Sequence, residues 1–100
     1  MAGHPLEALA RLDPGIMEML TTSDRFVFAD GALPAKVKLL IALAFDAAHG
    51  AAEGVAALAQ RAITAGATSA EIAEAVRVAA HLAGVGSLYT ASRGLKDVAG

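Results

Sequence analysis

Apolar residues recur at helical spacing along nearly the whole chain, and no stretch alternates apolar and polar with period two. The pattern predicts an all-α bundle of about six helices, with no internal repeat and no linker. Pro5 to Leu12 forms a short leading helix. Asp13-Pro14 restarts the chain, an N-cap acid followed by proline at the first helical position. Ile16, Met17, Leu20 and Val27 give the second helix an apolar face, with Met17 and Met19 as gap-filling positions. Thr21-Thr22-Ser23 is a weak point able to bend or break it, because these side chains compete for backbone hydrogen bonds. Asp30-Gly31 is a strong stop, and Leu33-Pro34 opens the next helix.

The stretch from Ala35 to Tyr89 organises the chain. Three helical segments are punctuated by Gly50, by Gly66-Ala67-Thr68 and by Gly84-Val85-Gly86. The first, from Pro34 to about His49, is apolar nearly all round. Leu40, Leu43, Ala44 and Ala47 share one face, Val37, Ile41 and Ala48 extend it, and Lys38, Asp46 and His49 form a narrow polar stripe. A helix this apolar is buried on most sides. A chain of 100 residues has few places to hide it, which implies a subunit interface. The next helix starts near Ala51. It gathers Ala51, Val55, Leu58 and Ala62 in one arc and Glu53, Gln60 and Thr64 opposite. Ala65-Gly66 stops it. Thr68-Ser69-Ala70-Glu71 is a capping-box pattern. The helix it starts places Ile72, Ala75, Val76, Ala79 and Ala83 on the core face and Glu74, Arg77 and His81 opposite. Gly84 and Gly86 end that helix, and a last one runs from about Ser87 to Val98.

Composition sharpens this picture. Residues 1–100 are expected to form one small domain. The chain is 56% hydrophobic but only 4% aromatic, and much of the excess is alanine. Alanine favours helix and fills little core volume, so helices pack closely and surface remains to be buried against a partner subunit. Mean hydropathy of +0.55 points the same way. A membrane span is not expected: no apolar run approaches the ~18 residues required, and the longest, Leu39 to Phe45, is bracketed by Lys38 and Asp46. No secretory signal pattern is visible, and the cytoplasm is the default compartment. The formal net charge of −2 is scattered, with no basic footprint for nucleic acid. The absence of cysteine removes disulfides, thiolate metal sites and thiol catalysis. Three histidines far apart in sequence argue against a metal site, and no cofactor motif is legible.

The candidate chemistry is sparse. His49 and Glu53 lie four apart across the junction at Gly50 and form a possible acid–base pair; the structural alternative is a capping histidine and a solvated glutamate. Asp46, three before His49, is placed to orient its ring. Asp46, His49 and Glu53 form the best candidate cluster. His81 shares a polar face with Glu74 and Arg77, where a surface network is the alternative. Tyr89 and Arg93 read as an exposed stacking pair.

Several segments, in order and spacing, resemble the carboxymuconolactone decarboxylase and AhpD-like alkylhydroperoxidase superfamily. They are Phe28-Ala29-Asp30-Gly31-Ala32-Leu33-Pro34, Lys38-Leu39-Leu40-Ile41-Ala42-Leu43-Ala44, Ala65-Gly66-Ala67-Thr68, Glu71-Ile72-Ala73-Glu74-Ala75 and Arg77-Val78-Ala79-Ala80. The resemblance covers roughly residues 12 to 96. It implies an all-helical domain assembling as a homotrimer or homohexamer. The peroxidase branch uses a Glu, two Cys separated by two residues, and a His four after the second Cys. Counted back from Gly66, these roles fall on Leu39, Ala51, Gly54 and Leu58. None is the required residue, and without a thiolate there is no nucleophile toward peroxide. The decarboxylase branch resembles Gly-x-x-Glu followed five residues later by His. Gly50 and Glu53 match, Leu58 does not, and no arginine stands at 51 or 52.

Three functional readings follow. The first is a cysteine-less member of this superfamily that binds a small, mostly apolar molecule between helices or subunits, without thiol peroxidase chemistry. The second is a cofactor-free lyase, decarboxylase or isomerase using Asp46, His49, Glu53 or His81 as acid and base. The third is a non-catalytic subunit that partners an active paralogue.

Overall fold

The structure is a computed structural model that describes residues 6–99, with side chains to residue 98. Its elements are α1 (Glu7–Leu12), α2 (Pro14–Val27), α3 (Ala35–Ala48), α4 (Ala52–Thr64), α5 (Ser69–Ala83), α6 (Gly86–Gly94) and α7 (Lys96–Ala99). The described residues contain no strand, as the periodicity predicts. None of their helices is long and apolar enough to cross a membrane. The expected start of α1 at Pro5 lies outside the described residues.

The predicted boundary chemistry is present. Asp13 caps α2 by accepting a hydrogen bond from the Gly15 amide at 3.0 Å, with Pro14 in the first turn. Asp30 does more than stop a helix: its Oδ1 accepts from the Ala35 amide at 2.7 Å and so caps α3 from across the loop. Thr68 and Glu71 form the reciprocal capping box, at 3.1 and 2.9 Å. Lys36 on α3 adds an ion pair to Glu71 at 3.1 Å. The turn between α3 and α4 is a Schellman motif. The Gly50 amide donates to the Ala47 carbonyl, and the Ala51 amide to that of Asp46 at 2.9 Å. It requires the left-handed backbone of Gly50, at φ 78°.

Three details differ from the sequence reading. Helix α2 runs unbroken through Thr21-Thr22-Ser23. These side chains are exposed and make no hydrogen bond to the backbone among the described residues, so the expected competition does not arise. Gly86 begins α6 rather than closing α5, because Gly84 at φ 93° has already turned the chain. The last expected helix is two, α6 and α7, divided at Leu95.

Helix α3 lies against both α4 and α5, and α6 packs against all three. The core contains Leu39, Leu43 and Ala47 of α3, Val55, Ala59 and Ala62 of α4, and Ile72, Val76 and Ala79 of α5. The buried side of α3 is thus centred on Leu39, Leu43 and Ala47; Leu40 and Ala44 are half-buried and Ile41 is exposed. On α4 the buried stripe takes in Ala59, while Ala51 and Leu58 are only half-buried. On α5, Ala75 is half-buried and Ala83 exposed. Helices α1 and α2 pack chiefly on each other and bury no residue fully. That arrangement opens the molecule: the radius of gyration is 14.1 Å, against about 13 Å for a compact chain of this length.

Gly94 lets α6 reach α4. A methyl group there would lie 2.7 Å from the Ala52 carbonyl oxygen and 2.7 Å from the Cβ and Cγ1 of fully buried Val55. Neither has room to yield. Gly94→Ala is therefore expected to lose about 1–3 kcal/mol in chemical denaturation, against a gain of at most ~1 kcal/mol from helix propensity. Unchanged stability would contradict this packing.

The Glu71 carboxyl is held below the ordinary glutamate range, first by the Thr68 backbone hydrogen bond and then by Lys36. A depressed carboxyl contributes stability that is complete above its unfolded pKa, about 4.3, and is lost as pH falls through the lowered folded value. Glu71→Gln should be less stable than wild type at neutral pH, and the gap should close under acid. A gap that persists unchanged in melts at acid pH would show that the carboxylate charge is not the stabilising feature.

Candidate functional site

A mainly apolar recess lies among α2, α3 and α4. It is an open-sided cleft of about 850 Å³, walled by Leu20, Val27 and Phe28 on one side and by Ile41, Ala42, Phe45, Ala57 and Leu58 on the other. Four charged side chains reach it: Asp24, Lys38, Asp46 and Arg61.

Arg61 ties α4 to α2. Its guanidinium donates to both carboxylate oxygens of Asp24, at 2.9 and 2.8 Å, and its Cζ sits 4.8 Å from the centre of the Phe28 ring. A fork-to-fork pair holds direction as well as distance, although this one is partly exposed and its net worth is modest. Lys38 donates from Nζ to the Ala29 carbonyl at 2.7 Å, which pins the loop after α2 to α3. The cleft is thus built from contacts far apart in sequence: Asp24 and Arg61 are separated by 37 positions.

The four sequence candidates separate. Asp46 is half-buried in the last turn of α3 and lines the cleft. His49 is exposed as the C-cap of α3 and is not part of the cleft wall. Its ring stacks on Phe45 with centroids 4.2 Å apart, and Nδ1 lies 2.8 Å from the Phe45 carbonyl oxygen. A carbonyl only accepts, so Nδ1 carries the proton and Nε2 is the acceptor of the neutral ring. Phe45, not Asp46, orients His49. Glu53 is exposed in the first turn of α4, beside a shallow surface that includes Ala56 and Gln60. No hydrogen bond or ion pair joins it to His49 among the described residues. His81 is exposed on α5 and lies outside the cleft wall. His4 lies outside the described residues. Among the described residues no group of three or more His, Asp or Glu is arranged to hold a metal ion.

The positions singled out by the family resemblance also divide. Gly54 and Leu58 line the cleft, Leu39 is a core residue at 4% exposure, and Ala51 stands just before α4 rather than within it. Gly54 is in close register with Asp46. A Cβ built on Gly54 would lie 2.8 Å from the Asp46 Cγ, and closer still to Oδ2. The carboxylate occupies the space that a side chain at 54 would need.

Sequence reasoning missed Asp24, Phe28, Lys38 and Arg61 as site residues. Arg61 carried no local signal, since its partners lie on another helix. The apolar arc of α4 correctly marked Leu58 as facing a neighbour, but that neighbour is the cleft.

The Carboxymuconolactone decarboxylase family model matches residues 14–97. No curated protein matches the chain. Among solved structures it is similar to the crystal structure of an apo carboxymuconolactone decarboxylase family protein from Legionella pneumophila. The two are 27% identical, with a TM-score of 0.82 over 91% of this chain and 81% of that one. With the all-helical fold and the matched span in agreement, the chain, which has no cysteine, belongs to the carboxymuconolactone decarboxylase family.

Proposed function

We propose that this chain binds a small, mostly apolar molecule in the α2–α3–α4 cleft, without thiol peroxidase chemistry, as a homotrimer or homohexamer. The cleft carries the reading. Its volume of about 850 Å³ falls in the range of small-molecule sites, about 300–1,000 Å³, which are typically apolar with a few placed polar groups. The wall residues fit that description, and the chain has no cysteine thiolate to act as a peroxidatic nucleophile. A second reading, cofactor-free acid–base chemistry, is favoured by one observation: Asp46 reaches the cleft.

Assembly is supported by the apolar side chains left outside the core. Phe26 is 84% exposed, Leu82 78%, Tyr89 67% and Phe45 61%. Ile41, Phe45, Val78 and Leu82 line one shared surface of α3 and α5, and contiguous apolar surface is uncommon on free monomers. Light scattering at micromolar concentration should give three or more subunits, and a stable folded monomer would overturn the assembly.

Ala57→Trp tests the cleft itself. Ala57 is exposed and lines the cleft, so an indole there is expected to be tolerated and to fill part of the recess. Titration with an environment-sensitive apolar dye should show saturable binding to wild type and at least about tenfold weaker binding to the variant. Equal binding to both would place the apolar site elsewhere.

A further inference from the structure

Three of the four charged side chains in the cleft are already engaged. Arg61 and Asp24 hold each other through two hydrogen bonds, and Lys38 donates to the Ala29 carbonyl. The Asp46 carboxylate is different. Among the described residues no hydrogen bond or ion pair reaches it, although it is half-buried beside Phe45 and Leu58. Burying part of a charged group without a partner is unfavourable. The chain nevertheless makes room for it, because Gly54 has no side chain where the carboxylate sits. Lys38 does not neutralise this end of the cleft: eight residues earlier on the same helix, its backbone is about 12 Å away along the axis.

We propose that the cleft selects a small apolar molecule carrying a protonated amine, with Asp46 as the counter-ion and Gly54 as the residue that lets the carboxylate reach it. The inference rests on the cleft being the apolar site and adds the charge of the ligand. The complementarity is local and one-sided. The apolar walls hold the body of the molecule, the unpaired carboxylate receives the ammonium, and a ligand carboxylate brought to the same end would meet like charge. Gly54 is a positioning residue, acting through where it allows Asp46 to lie.

Three probes of one shape and different charge test this: benzylamine, benzyl alcohol and benzoate. Each is titrated by NMR into wild type, Asp46→Asn and Gly54→Ala, with helix content and subunit number checked for every protein. Wild type should bind benzylamine at least about tenfold more tightly than benzyl alcohol, and benzoate most weakly. Asp46→Asn should bring the amine to the affinity of the alcohol while leaving the alcohol unchanged. Gly54→Ala should do the same with Asp46 still present, because the added methyl displaces its carboxylate. Equal binding of amine and alcohol to wild type overturns the counter-ion assignment and leaves the apolar site intact. An amine preference that survives Asp46→Asn also overturns it. If none of the three probes binds wild type, the counter-ion assignment falls; if Ala57→Trp also leaves dye binding unchanged, the apolar site falls with it.

Discussion

Close approach of helices through small residues is the constraint on which this structure depends. Ala47, Ala59, Ala62, Ala79 and Ala91 are buried at the helix contacts, and Gly94 admits the Ala52 backbone. Leu43 and Val55 are the largest side chains fully enclosed. Dense packing of short side chains recovers dispersion contacts without large residues, but it builds a thin core. Larger apolar groups such as Ile41, Phe45 and Leu82 are then left outside it. An apolar exterior is the direct consequence of an alanine interior.

The same economy shapes the cleft. Helix α2 has no fully buried residue, so it does not lie flat on the bundle. Phe28 packs against the core at its end, and the Asp24–Arg61 pair spans the remaining gap. The recess is the space this tether leaves open. Its polar feature comes from the Schellman turn at Gly50, which folds α4 back along α3 and sets Asp46 against Gly54. A residue of the last turn of one helix and a glycine of the first turn of the next thus share one space.

Much of the fold was legible in the residues themselves. Asp13-Pro14, Thr68 with Glu71, and the glycines after α3, α4 and α5 act within a few residues of where they stand. Their chemistry is local, and local chemistry survives in sequence. The helical period likewise marked Leu43, Ala47, Val55, Ala62, Ile72 and Val76 as inward-facing. Where that reading slipped, as for Leu39 and Ile41, an almost uniformly apolar helix gave no contrast by which to choose a face.

The site was another matter. Residue type and spacing brought Asp46, His49, Glu53 and His81 forward together, because each is a titratable group in a largely apolar chain. Only the tertiary structure separated Asp46 from the rest. Sequence order alone determined that this chain is helical, where α2 to α5 begin and end, and that it holds no thiol. Which side chains share a cleft depended on the Asp24–Arg61 tether between α2 and α4 and on the missing side chain at Gly54. Both arise from contacts between helices, and such contacts leave no periodic trace within either partner.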